Sequence, residues 1–211
     1  MKTLLVLDSS PRQDAVSRLL TDRFIQQWGD RFPDSRIIHR DIGSNPPALI
    51  DDELIDALRR EPETLTERQV ATRAASDAMI AEMQQADAIV IGAPMHNFTI
   101  SAALRTWLDH IARPGKTFGY DPETGPHGLL GDKPVYVLSS RGGDYGDGST
   151  ENPNPYDFQS GYLRHILGFI GLKSVNIIAA NGLDMGPEPR AKGIADASAA
   201  IDAAVADTAA A

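Results

Sequence analysis

Three short polar stretches carry side chains able to hold a ligand, and each directly follows an apolar run. Asp8-Ser9-Ser10-Pro11-Arg12-Gln13-Asp14-Ala15-Val16 follows Leu4–Leu7 and leads into a helix starting near Ser17. Ala93-Pro94-Met95-His96-Asn97-Phe98 follows Ala88–Gly92, with a helix starting near Ile100. Ser139-Ser140-Arg141-Gly142-Gly143 follows Val135–Leu138. The first stretch sets the hydroxyls of Ser9, Ser10 and Ser17 beside the free N–H groups of a helix start, a setting that favours an anion. It has no glycine and no Gly-Lys-Ser/Thr, so it is neither a dinucleotide fingerprint nor a Walker A loop. Such a loop suits one compact phosphate, because a pyrophosphate asks for glycines that let the backbone come close. In the second stretch Pro94 stiffens the turn, and Met95, Asn97 and Phe98 set amide donors beside an apolar wall. That fits a flat heteroaromatic ring better than a sugar or a metal. In the third, Gly142 and Gly143 let a ligand approach the main chain. Each stretch also has a plain reading: Ser17 as an N-cap after a Ser9–Ser10 turn, Phe98 tucked into the core, and a glycine pair in an ordinary turn.

The elements that must position these stretches alternate. Apolar, β-branched runs at Leu4–Leu7, Arg36–His39, Ala88–Gly92, Val135–Leu138 and Val175–Ala179 read as strands, several apolar on consecutive residues, as in a parallel sheet covered on both faces. Helical patterns fall between them. Leu19, Leu20, Phe24 and Trp28 mark the first. Thr66-Glu67-Arg68-Gln69 opens the second as a capping box, with Val70, Ala74, Ala78 and Ala81 on one face to Gln85. Ile100, Leu104, Leu108 and Ile111 form a third stripe, Tyr162–Ile170 a fourth helix, and the alanine-rich tail after Pro189 a fifth. The pattern implies one domain over 1–211: an α/β fold with a doubly wound, five-stranded parallel sheet of order 2-1-3-4-5 and helices on both faces. In that order the carboxyl ends of strands 1, 3 and 4 surround the switch point where ligands bind. Those are the three polar stretches. Two long connections remain, Pro114–Asp132 as a hairpin or loop excursion and Arg141–Phe158 as a loop lining or covering the site.

Composition narrows the classes. Length and hydrophobic content are those of an ordinary globular chain. A net charge of −9 argues against nucleic acid as the main partner. The absence of cysteine excludes disulfides, thiolate catalysis and thiolate metal sites. Asp8 interrupts the only apolar stretch near the start, and no segment reaches the length of a membrane span, so the expected location is the cytoplasm. The histidines are scattered without an i, i+4 pair, and no metal is expected. Gly115-Lys116-Thr117 mimics the tail of a Walker A loop but follows a helix. Arg59 and Arg60 read as a solvated helix face.

The segment PMHNFTISAALRTWLDHIARPGKTF (Pro94–Phe118), the block SSRGG (Ser139–Gly143) and LGFIGL (Leu167–Leu172), in this order, resemble blocks of the FMN-dependent NADH-azoreductases. These are flavodoxin-like enzymes also described as NADH:quinone reductases, and the match runs over essentially the whole chain. The resemblance implies tightly bound, non-covalent FMN, NADH or NADPH as electron donor, a quinone or azo acceptor, and ping-pong hydride transfer with no catalytic side chain. Carried onto this sequence, Ser10, Ala15, Val16 and Ser17 would hold the phosphate. Met95, His96, Asn97 and Phe98 would lie along the isoalloxazine, and Ser140, Arg141, Gly142 and Gly143 would meet its pyrimidine side. It also implies a homodimer with each flavin near the subunit boundary, where Phe118, Tyr120 and Phe169 would wall the substrate pocket. The plainer assignment puts Phe169 in the core and has Phe118 close the preceding helix. The chain departs from the family in having His96 where a Tyr is usual and in a longer Gly143–Gln159 region. A flavodoxin-type electron carrier and a phosphodiesterase-type hydrolase are the rival classes, the latter without a nucleophile–base pair to support it.

Overall fold

The computed structural model describes residues 1–59 and 64–208. Arg60 and the side chain of Arg59, read above as part of a solvated face, lie outside the described residues. The parallel sheet comprises β1 (Thr3–Asp8), β2 (Arg36–Asp41), β3 (Ala88–Pro94), β6 (Val135–Ser140) and β7 (Val175–Ala180), in the order β2-β1-β3-β6-β7. Two short strands, β4 (Phe118–Asp121) and β5 (Gly125–Gly128), form a separate antiparallel hairpin within Pro114–Asp132. Leaving that hairpin out, the sheet order is the expected 2-1-3-4-5.

Both faces of the central strands β1, β3 and β6 are buried, which is why they read as continuous apolar runs. Leu4 and Val6 of β1 point to one face with Val90 and Leu138, under Leu20, Phe24 and Trp28 of α1 (Val16–Arg31) and Ile201 and Val205 of α6 (Pro187–Asp207). Leu5 and Leu7 point to the other, with Ile89, Ile91 and Val137. There they meet Met79, Ile80 and Met83 of α3 (Glu67–Gln85), Leu104, Trp107 and Leu108 of α4 (Ala102–Ile111), and Leu163 and Leu167 of α5 (Phe158–Phe169). β2 is an edge strand and mostly uncovered, carrying Arg36, His39, Arg40 and Asp41 where an apolar edge would invite pairing with another chain.

The capping box of α3 is present: Gln69 N–H donates to Thr66 Oγ1, and Thr66 N–H to Gln69 Oε1 at 2.9 Å. The face assigned to α3 is not the buried one. Val70, Ala74 and Ala78 face solvent, while Thr72, Ser76, Met79 and Met83 are buried, the methionines in the core beside the strands. Methionine buries far more apolar area than alanine, so the Met line takes the core. Leu19 of α1 is likewise exposed. A further short helix, α2 (Asp52–Arg59), packs against α3, and α6 begins two residues before Pro189 with Pro187 in its first turn.

The hairpin packs where β5 crosses the turn between α5 and β7. A Cβ on Gly128 would lie 2.0 Å from Gly171 N, so the two backbones touch. Gly128→Ala must push them apart, and urea unfolding should register a loss of roughly 1–3 kcal/mol.

Candidate functional site

The carboxyl ends of β1, β3 and β6 lie side by side, and buried polar contacts hold them there. Ser9 N–H and Ser9 Oγ both donate to Gly92 O, at 3.1 and 2.7 Å, and Ser101 Oγ donates to Ser9 O at 2.9 Å. Met95 N–H donates to Ser140 O at 2.9 Å, and Gln159 Nε2 to Ala93 O at 3.1 Å, while Gln159 Oε1 accepts from Ser139 Oγ. The three polar stretches are thus one continuous shelf.

The first loop ends at a bare helix start. The N-cap of α1 is Ala15, which has no side chain able to accept from the first turn. Ser17 is therefore not the N-cap but the second helical residue. It is 1% exposed, and its Oγ has no hydrogen-bond partner among the described residues. A dry hydroxyl without a partner costs roughly 1–3 kcal/mol. First-turn amides such as those of Val16 and Ser17 also lack an acceptor within the helix. Buried O–H and free N–H groups gathered at the positive end of a helix dipole make an anion site. Ser10 is buried beside them, its Oγ accepting from Arg12 N–H at 3.2 Å. Ser9, the other hydroxyl of this loop, is committed to Gly92 as described.

The second loop is a tight turn. His96 N–H donates to Thr99 O at 2.9 Å and Thr99 N–H returns to His96 O at 3.0 Å. Asn97 and Phe98 between them both have positive φ, 48° and 70°. Left-handed backbone at a bulky residue is strained and needs its surroundings to hold it. The turn throws Phe98 outward, 46% exposed, rather than into the core. Tyr145 and Tyr156, from the long Arg141–Phe158 connection, approach the Phe98 ring with centroids at 6.1 and 6.4 Å. Beside the turn lies a hollow of about 450 Å³ bounded by His96, Asn97, Ile100, Arg105 and Tyr162. The Arg105 guanidinium sits 5.4 Å above the Tyr162 ring. A second hollow of about 340 Å³ runs from Ser9 and Pro11 across Pro46 and Leu49 to the other side of His96.

In the third loop Gly142 and Gly143 give their carbonyls to Asp184 and Gly182 N–H, at 2.9 and 3.0 Å, and no described residue accepts from their own N–H groups. Arg141 behaves differently. Its backbone pairs with Ala180 O and Leu183 N–H, and its side chain is buried against Ser139 Oγ (2.9 Å), Ser160 Oγ (2.8 Å) and Asp157 Oδ2 (3.1 Å). Burial lowers this guanidinium's pKa from its usual value, with Asp157 opposing. Arg141 therefore braces the loop from below.

Phe118, Tyr120 and Phe169 are not brought to this shelf within one chain. Phe118 packs on Phe169 with ring centroids 4.6 Å apart. Phe169 closes α5, roughly 16 Å along the helix axis from its start beside the shelf. Both are half-buried: Phe169 packs against the core, as the plainer assignment had it, whereas Phe118 opens β4 instead of closing α4, and Tyr120 on the hairpin is 74% exposed. The aromatics that do reach the shelf are Tyr145, Tyr156 and Tyr162. The same strand-end argument, carried to the helix after the third loop, would have reached Tyr162 near the start of α5.

A family model described as flavodoxin-like fold matches residues 2–205. The chain is 44% identical over 202 residues to an FMN-dependent NADH:quinone oxidoreductase of Azospirillum brasilense, covering 95% of this chain and 96% of that one. It is 44% identical over 207 residues to an FMN-dependent NADH:quinone oxidoreductase of Shigella flexneri, covering 98% and 100%. Among solved structures, azoreductase AzrA superposes with a TM-score of 0.86 at 28% identity, covering 97% of this chain and 99% of the other. An azoreductase from Bacillus anthracis gives 0.85 at 27%, with the same coverage.

The unpartnered Ser17 hydroxyl makes an unusual stability forecast. Ser17→Ala removes a group that the ligand-free fold leaves unsatisfied, so thermal unfolding of ligand-free protein should be unchanged or shifted upward, by about 1 kcal/mol at most. A clear loss of stability would mean that the hydroxyl has a partner within the chain.

Proposed function

The chain belongs to the family of flavodoxin-like fold proteins that contains FMN-dependent NADH:quinone oxidoreductases, and from this premise we propose that it is an FMN-dependent NADH oxidoreductase acting on quinones and azo compounds. The observation that carries the cofactor is the buried, unpartnered Ser17 Oγ at the uncapped start of α1. FMN has one phosphate and one flat ring, and the shelf offers a place for each. Ser10, Ser17 and the amides of Ala15, Val16 and Ser17 would bind the phosphate. Met95, His96, Asn97 and Phe98 would flank the ring, and the free N–H groups of Gly142 and Gly143, set by Ser140 and braced by Arg141, would meet its pyrimidine edge.

Bound there, FMN would supply two-electron chemistry between the nicotinamide and the acceptor. The protein's share is to bind, orient and exclude water. Phe98 and the tyrosines around it present apolar surface to a planar acceptor, and burial raises the Tyr162 phenol's pKa from its usual value, with Arg105 opposing. Donor and acceptor must stack on the same exposed ring face, so each has to leave before the other enters. A homodimer completes the proposal: Tyr120, exposed on its hairpin at a distance from the shelf of its own chain, would wall the pocket of the partner copy.

Purified protein should show a flavin spectrum that NADH bleaches without oxygen and a quinone restores, with parallel double-reciprocal lines. Colourless protein that fails to take up added FMN defeats the reading, and intersecting lines defeat the shared face. Tyr120→Ala should change the acceptor KM several-fold while flavin content and the dimeric mass hold. An unaltered KM removes Tyr120 from the pocket.

A further inference from the structure

Arg18 occupies the third helical position of α1. A cation there opposes the helix dipole, and a phosphate at this helix start would be its natural target. The guanidinium turns the other way, back beneath the first loop. Nε donates to Arg12 O at 3.0 Å, and Nη2 donates to Ser10 O at 2.8 Å and to Asp41 Oδ1 at 2.6 Å. Nη1 lies 3.6 Å from Asp8 Oδ2, and the two side chains are 11% and 3% exposed. Both carboxylates come from strand ends. Asp8 also accepts from Thr21 Oγ1 at 2.8 Å and meets His39 Nε2 at 2.7 Å, and Asp41 accepts from Ser44 N–H at 2.9 Å. Burial raises the Asp41 pKa, but the hydrogen bonds from Arg18 and Ser44 outweigh it and bring it down to about 2. The positive charge of Arg18 is therefore matched by the sheet, leaving its planar fork to shape the loop.

That shaping has a direction. In a trans peptide C=O and N–H point opposite ways. Drawing the Arg12 carbonyl inward turns the Gln13 N–H outward, and no described residue accepts from it. The turn after β2 is pressed against the same carbonyl that Arg18 bonds, since a Cβ on Gly43 would lie 1.9 Å from Ser10 O. Arg18 and that turn together fix the inner side of the loop, so the N–H groups opposite its held carbonyls are turned away from them.

Resting on the FMN reading above, we infer that Arg18 is a positioning residue for phosphate-monoester recognition. It gives no hydrogen bond to the phosphate. It holds the Ser10–Gln13 backbone in the one shape that presents donors to it, while the ring is held by the other two loops.

Comparing FMN with riboflavin isolates this role, because the two differ only in the phosphate. Dissociation constants would be read from quenching of flavin fluorescence on flavin-free wild type, Arg18→Lys, Arg18→Met and Asp41→Asn, with melting temperatures alongside. Arg18→Lys keeps the charge but cannot offer a fork to two carbonyls and a carboxylate together. Both Arg18 variants should weaken FMN by about tenfold or more with riboflavin within about twofold, and Asp41→Asn should move the same way by less. Variants that melt earlier yet keep the wild-type FMN-to-riboflavin ratio overturn the inference and leave Arg18 a stabilising contact. If neither Arg18 variant folds, the Asp41→Asn ratio decides by the same rule. Wild type that takes up neither flavin overturns the FMN reading and this inference with it.

Discussion

Ser9 commits every polar group it has to β3 and to the start of the helix that follows it. Its amide and hydroxyl go to Gly92, and its carbonyl takes the Ser101 hydroxyl at the N-cap of α4. This fully buried residue fixes the first loop against the second, and so fixes any phosphate site against any ring site. Gln159 repeats the arrangement one strand over, joining Ala93 to Ser139. Each such bond contributes only about 0.5–1.5 kcal/mol net, but breaking one strands a buried polar group at a cost of roughly 1–3 kcal/mol. The asymmetry makes the shelf rigid without making the protein much more stable.

A parallel sheet with both faces covered leaves ligand chemistry only its ends, and the reversal of strand order opens one crevice there. The two cores grip the sheet from opposite sides, so the loops at its rim are free to be polar and irregular. Irregularity is concentrated where it serves the shelf: an uncapped helix, a turn with two left-handed side-chain residues, and a cation buried among backbone carbonyls.

The sheet, its order and the three loops were legible because buried parallel strands announce themselves as unbroken apolar runs and topology does the rest. The α3 capping box was legible from four residues. What local pattern could not supply was choice between faces. The alanine line of α3 looked apolar, but Met79 and Met83 outweighed it. The Gly142–Gly143 turn was legible because glycine marks bare backbone, and no described residue accepts from either N–H there. Arg18 escaped notice because an arginine near a helix start reads as surface or as an anion ligand, and only coordinates reveal that it points beneath the loop. Phe118, Tyr120 and Phe169 were drawn together by likeness to relatives, and in one chain helix length separates them from the loops.

Phe98 sits in a backbone conformation that glycine or asparagine would adopt with far less strain. Any search that ranks substitutions by folding stability alone will favour replacing it, and will thereby strip the ring from the rim while improving the melting curve. Under the FMN reading the position is one where heat tolerance and work pull against each other, so directed evolution of this scaffold for harsher conditions should hold residue 98 constant and look to the outer faces of the helices.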